Sequence, residues 1–300
     1  MRQAPATRIQ VSTTVSTKKK ARHSEPRTKE NVIMRIAICV KEVLDPDAVN
    51  NYAIAGKLEI GDDGKSLTQT TIPRLINGFD EQALEAGLRI KDADGDTTIS
   101  VLSIGPDPGK ILKQCAALGA NSLVSIKSDT AELDCHGFAS ILAAQIQKDG
   151  GADLVLCGRQ ASDDDQGVVP ALIAEKLGMP LVTFARAVEA NGSTLKVTRV
   201  TPDGDEVVEV DCPAVVTVSN ELGEPRYPTA AAKIKARKVK PNVVSIADLG
   251  LTDADTAQRA QLKQQYVPQI QGNCEMIEGG SPAELADNLM ARLRAESLLS

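Results

Sequence analysis

The chain has no tryptophan, three phenylalanines, three tyrosines and two histidines among its 300 residues. So few rings remove the stacking platforms on which single-stranded nucleic acid is usually held. A net charge of −6 also removes the attraction to a phosphate backbone. No nucleic-acid partner is expected. Long apolar runs are missing too: none approaches the ~18 residues of a membrane span, so no membrane insertion is expected. The six cysteines (Cys39, Cys115, Cys135, Cys157, Cys212, Cys274) form no Cys-x-x-Cys pair, and only His23 and His136 stand beside them. That spacing argues against a zinc centre or a redox pair and for reduced, mostly buried thiols in a reducing compartment. There is no Gly-x-x-x-x-Gly-Lys loop, and no nucleophile, general base or metal constellation of the kind a catalytic centre needs.

What is present is an aliphatic core-former. Hydrophobic residues make up 42% of the chain, enough for a sizeable core in one or two domains. Residues 1–33 differ from the rest. They hold eight of the 34 basic residues and two of the 40 acidic ones, a net +6 that leaves −12 on the remainder. With Ser and Thr filling the segment and no apolar periodicity, 1–33 is expected to be a disordered basic extension: either a targeting segment or a mis-assigned start, with Met34 favoured as the true one. The remainder divides into a nucleotide-binding domain over 34–228 and a C-terminal arm and helix over 229–300.

Strands alternating with helices in 34–178 predict an α/β fold with a doubly wound, mostly parallel sheet of Rossmann type. Arg35 to Val40, Thr97 to Ser103, Leu123 to Ile126 and Asp153 to Cys157 read as strands of a sheet interior. Alternation in Tyr52 to Ile60, ahead of the turn Gly61-Asp62-Asp63-Gly64, suggests a hairpin before the first helix. That helix is expected to start at an Asn77 N-cap, the next at Asp107 with Pro108 in its first turn, and a third to run from Asp134 to Lys148, carrying His136. Beyond Leu181 the pattern changes. Strands over 181–189, 194–201, 206–210 and 214–219, with Asn191-Gly192 and Asp203-Gly204 between the first three, predict antiparallel hairpins. Residues 229 to about 272 carry the basic run Lys233, Lys235, Arg237, Lys238 and Lys240 and cannot bury a core of their own, so Val243, Val244, Ile246 and Leu249 need a surface to lie on. Pro282 to Leu299 reads as a final amphipathic helix.

The stretch Asp153 to Gly178 points to function. A buried strand passes through the polar loop 158–168 into an amphipathic helix stopped by Gly178. Ligands of an open α/β sheet sit at the carboxyl ends of its strands, where a helix N-terminus offers free N–H groups to an anion. A phosphate-bearing ligand is expected there, with Gly158 and Gly167 permitting close backbone approach. A solvated acidic loop is the plainer reading of Asp163-Asp164-Asp165.

Four blocks in register carry a resemblance: Val40-Lys41-Glu42-Val43-Leu44-Asp45, Asn77-Gly78-Phe79-Asp80-Glu81, Gly158-Arg159-Gln160-Ala161 through Asp163 and Asp165, and Ala214-Val215-Val216-Thr217 followed by Glu224-Pro225-Arg226-Tyr227. Together, over nearly everything from Met34 to Lys240, the chain resembles the beta subunit of electron-transfer flavoprotein. The resemblance implies a Rossmann-like fold akin to adenine-nucleotide alpha hydrolases and a heterodimer with an alpha subunit that holds FAD and on which the C-terminal arm and helix, 229–300, would pack. It also implies an adenine nucleotide in this chain, AMP in ordinary members or a second FAD in electron-bifurcating ones. Electrons would come from acyl-CoA or related dehydrogenases and pass to a quinone oxidoreductase or another acceptor, as in fatty acid beta-oxidation. The implied cofactor contacts are Cys39, Asn77, Gly78, Phe79, Asp80, Ile104, Gly158, Arg159, Gln160, Ala161, Ser162, Asp163, Asp164, Asp165, Gln166, Gly167, Val168 and Val169. The implied partner-docking loop is Leu222, Glu224, Pro225, Arg226 and Tyr227, with Leu222 as anchor. Gly167-Val168-Val169 departs from the Asn-Gln-Thr of AMP-binding members, so backbone N–H groups would hold the phosphate. An electron carrier rather than an enzyme is expected, in the cytoplasm, or in the mitochondrial matrix if 1–33 is a transit peptide. The alternatives are a bifurcating flavoprotein oxidising NADH and a stand-alone ATP-binding protein of the same superfold.

Overall fold

The computed structural model describes residues 33–267, 272 and 274–299; the expected basic extension, up to residue 32, lies outside them. The chain divides into two compact units, Met1–Gln264 and Gln265–Ser300.

In the first unit the elements follow as β1 (Arg35–Cys39), β2 (Glu42–Leu44), α1 (Pro46–Ile54), β3 (Arg74–Ile76), α2 (Gly78–Ala93), β4 (Thr98–Gly105), α3 (Gly109–Leu118), β5 (Ser122–Lys127), α4 (Cys135–Lys148), β6 (Leu154–Gly158), α5 (Val169–Leu177), β7 (Leu181–Asn191), β8 (Thr194–Thr201), β9 (Gly204–Asp211), β10 (Ala214–Val218), α6 (Ala230–Ala236), β11 (Asn242–Ser245) and α7 (Asp253–Thr256). Nine strands form one sheet in the order β11-β5-β4-β1-β6-β10-β7-β8-β9. Every pairing from β11 across to β7 is parallel. β7, β8 and β9 form an antiparallel meander through the two expected turns. This is the mostly parallel α/β sheet expected from the alternation of strands and helices.

Side-chain alternation divides the core between the two faces. Ile36, Ile38, Val101, Leu154 and Leu156 pack with Leu84, Leu88, Ile111 and Leu112 of α2 and α3. Ala37, Cys39, Leu102, Val155 and Cys157 pack with Ile141, Leu142, Ile146 and Ile173 of α4 and α5. A fully buried Ile or Leu such as Ile38 or Leu156 contributes about 1.5–3 kcal/mol.

Three expectations are corrected. The stretch beginning at Tyr52 is not a strand: Tyr52 to Ile54 close α1, which starts at Pro46 with Asp45 accepting from the N–H groups of Asp47 and Ala48. Of the expected hairpin only an Ile60–Leu67 bridge forms, across the predicted turn. The second long helix begins at Gly109 with Pro108, not Asp107, in the cap position. Part of the stretch after residue 229 finds its surface on this chain: β11 pairs with β5, and Val244 is buried against the α4 side.

The second unit holds α8 (Pro282–Ala295), capped by Ser281, which accepts from the Glu284 N–H at 3.2 Å. The helix ends a turn before Leu299, and Leu285 and Leu289, one turn apart, are both more than a third exposed. No helix among the described residues is long and apolar enough to cross a membrane.

Candidate functional site

β1, β4 and β6 bring their carboxyl ends to one edge, with Cys39, Ile104 and Cys157 all buried on the α4–α5 side. The chain leaves β1, β4 and β5 on one side and resumes with β6 on the other side of β1, so the crevice opens where the strand order reverses. The start of α2 is drawn to the same edge. The Asn77 N–H donates to the Lys41 carbonyl at 2.9 Å. Asp80, 6% exposed, accepts from the N–H groups of Lys41 (2.8 Å) and Gly158 (3.0 Å), tying the ends of β1 and β6 together through one carboxylate. Burial pushes Asp80 up to about 7, against these donors and the Lys41 charge.

Gly158 has a different role from the one expected. A Cβ there would stand 2.5 Å from Asp80 Oδ1 and 2.7 Å from the backbone of Phe79, so its missing side chain admits α2 rather than a ligand. Asn77 is likewise reassigned. It sits at the N-cap of α2 yet makes no side-chain cap bond. Its amide instead donates to the Gln160 carbonyl at 2.8 Å and accepts from the Ser162 N–H at 3.1 Å, holding the 158–168 loop on both sides.

The loop folds on itself. Asp165 takes a left-handed backbone (φ 51°), its N–H returning to the Ala161 carbonyl at 2.8 Å and its carboxylate accepting from Gln160 Nε2 at 2.7 Å. Gly167 follows at φ 62°, where a Cβ would meet the Arg159 carbonyl at 2.9 Å. Lys41, absent from the expected contacts, reaches over from the end of β1 to Asp163 (2.7 Å) and Asp164 (3.3 Å). Burial lowers its pKa, but the two carboxylates outweigh that and the ammonium stays charged. All three acidic side chains are therefore engaged by neighbours. Lys41 could have been found from its position, one residue past Val40 on the edge that carries the loop.

Beyond the loop, α5 begins with no side-chain cap and with Pro170 in its first turn. The N–H groups of Gly167, Val168 and Val169 donate to no protein acceptor among the described residues. Ser162 Oγ, buried in the same loop, also has no partner. Uncapped main-chain donors at a helix N-terminus, with a glycine turn leading in, fit a phosphate group. The residues present therefore suit a phosphate-bearing ligand held chiefly by backbone.

Arg159 faces the other way. Its guanidinium lies between the rings of Phe79 (5.4 Å) and Phe184 (5.1 Å) and donates to Ser219 Oγ at 3.3 Å. Phe184 reaches it through a left-handed backbone (φ 59°) at an irregularity in β7, with its N–H bonded to Thr217 Oγ1. Gly78 is exposed at the start of α2, and Val168 is 41% exposed at the mouth.

The 222–227 loop does not join this cluster; it lies against α2. Leu222, expected as a docking anchor, is 7% exposed within the α2–α3 core, so its side chain presents no surface to a partner. The reason is that Arg89 and Glu85 hold the loop down. Arg89 donates to the Leu222 carbonyl at 3.0 Å, and Arg226 grips Glu85 through Nε (2.8 Å) and Nη2 (3.2 Å). Tyr227, 92% exposed, is the side chain that projects.

Among the described residues no group of His, Cys, Asp and Glu is arranged to hold a metal ion, and all six cysteines are free. The family model described as electron transfer flavoprotein domain matches residues 66–249. The chain is 32% identical over 272 residues to the caffeyl-CoA reductase–Etf complex subunit CarD of Acetobacterium woodii, covering 89% of this chain and all of that one. It is 32% identical over 284 residues to the electron transfer flavoprotein subunit beta of Megasphaera elsdenii, with the same coverage. To the acryloyl-CoA reductase electron transfer subunit gamma of Anaerotignum propionicum it is 30% identical over 275 residues, covering 86% of this chain and 99% of that one.

Proposed function

Because the chain belongs to the electron transfer flavoprotein family, as a beta-type electron transfer subunit, we propose that it pairs with an alpha subunit and carries an adenine nucleotide in its own crevice. Electrons pass from acyl-CoA or related dehydrogenases to a quinone oxidoreductase or another acceptor by way of FAD bound with the alpha subunit, which supplies the redox chemistry. This chain's own residues bind and position. The observation that carries the reading is the uncapped start of α5, whose Gly167, Val168 and Val169 N–H groups have no protein acceptor among the described residues. Asn77 and Asp165 shape the loop that leads into them, and Lys41 draws Asp163 and Asp164 together. AMP is the nucleotide proposed, since a single phosphate uses the main-chain donors without needing a further cation. Six free thiols suit the cytoplasm.

A second reading has its own support: two of the similar proteins are named as subunits of CoA-ester reductase systems. In that reading the same crevice holds the adenylate half of a second FAD, and the complex bifurcates electrons from NADH. Denaturing the purified alpha–beta complex and weighing what is released separates the two. One FAD and one AMP per complex supports the first reading, and two FAD the second. A complex that releases no adenine nucleotide beyond the alpha-bound FAD contradicts both.

A further inference from the structure

Between Asn242 and Ala260 the chain crosses α4, and the end of that crossing is held by one carboxylate. Val244, Ile246, Leu249 and Leu251 pack on the α4 side of the core, and Lys148 donates to the Asp248 carbonyl at 3.0 Å. Burial then runs out: every residue from Ala257 to Gln264 is exposed. At that point hydrogen bonds take over. Asp134 Oδ1 caps α4 by accepting from the Gly137 N–H at 3.0 Å. Its Oδ2 accepts from the N–H groups of Arg259 (2.7 Å) and Ala260 (3.0 Å), 125 and 126 residues away. Gln258 Nε2 adds a bond to the Ala131 carbonyl at 3.2 Å. The approach is close: a Cβ on Gly137 would stand 3.0 Å from the Thr256 carbonyl.

An N-cap needs one acceptor, and Ser, Thr or Asn supplies it as well as Asp does. Only a carboxylate offers two acceptor oxygens and no donor. The second oxygen of Asp134 is therefore surplus to capping, and a distant segment uses it. Burial works to raise the pKa of this carboxyl, but the converging N–H groups hold it below the usual carboxylate range, so both oxygens remain acceptors at neutral pH.

We propose that Asp134 is a positioning residue for subunit pairing. Its second carboxylate oxygen fixes residues 259–260 across the first turn of α4 and so sets where the chain departs for the alpha subunit. This rests on the reading that the chain's C-terminal segment packs on that subunit.

The test uses the alpha–beta complex carrying Asp134→Ser, which keeps the cap but has no second oxygen. Asp134→Asn, with one oxygen for two sets of donors, serves as the second variant. Expected are tryptic cleavage after Arg259 at least tenfold faster than in the unchanged complex and a subunit dissociation constant at least tenfold higher. The nucleotide content should match that of the unchanged complex, whereas a purely structural cap predicts no change in the cleavage rate or in the dissociation constant. Unchanged cleavage overturns the clasp and leaves the packing of the C-terminal segment standing. Faster cleavage with an unchanged dissociation constant shows instead that this segment adds nothing to pairing, and overturns both.

Discussion

Single side chains hold the crevice in shape, and Asn77 is the most exacting of them. It donates to one backbone group of the loop and accepts from another, which an amide can do and a carboxylate cannot. Asn77→Asp should cost about 1–3 kcal/mol in urea unfolding and at least halve the nucleotide that copurifies with the complex. Asp165→Ala loses the bond from Gln160 and places alanine at a left-handed backbone, so nucleotide retention should fall while the circular dichroism of the sheet is unchanged. Asp80 makes a pH prediction. Its pKa is raised from 3.8 to about 7 in the folded chain, so folding takes up a proton in that window. Its contribution to stability is present at low pH and is lost as pH rises through the window toward 7. The stability advantage of wild type over Asp80→Asn, measured by urea midpoint, should therefore shrink from pH 5 to pH 8. An advantage that grows with pH would contradict the assignment.

Packing between elements makes a harsher demand, seen where α2 meets β6. Gly158→Ala puts a methyl group against Phe79 and Asp80, and separating the helix from the strand should cost about 1–3 kcal/mol. A urea midpoint equal to wild type would show that α2 does not close on β6 as described. How much of this was legible in the sequence differs by element. β1, β4, β5 and β6 announced themselves because buried parallel strands are continuous apolar runs, and the hairpins did so through Asn-Gly and Asp-Gly turns. α1 was misread because its nine residues have no buried face, leaving the Asp45-Pro46 start signal outweighed by a false alternation. The place of β11 was hidden because a four-residue strand carries too little pattern to name its neighbour. At the site, the loop and the helix start were legible from residue type. Lys41 was legible from its place just past β1, but Arg159 between its two rings and the burial of Leu222 were not, since each depends on residues 25 to 133 positions away.

At the scale of the whole molecule, the proposed anion site lies on a body that is itself negative. Residues after 33 carry a net −12, and the two cations at the loop, Lys41 and Arg159, are committed to Asp163 and Asp164 and to the rings of Phe79 and Phe184. Attraction must come from main-chain dipoles at short range, which salt screens far less than separated surface charges. The affinity of nucleotide-stripped complex for AMP should accordingly change by less than about threefold between 0.1 and 0.5 M salt, where a lysine-lined site would lose more. The most direct test is the amide spectrum of isotope-labelled beta subunit in that stripped complex as AMP is added. The N–H resonances of Gly167, Val168 and Val169 should move downfield together, with saturation at one equivalent. AMP that binds while those three amides stay where they were would place the phosphate elsewhere and contradict the account.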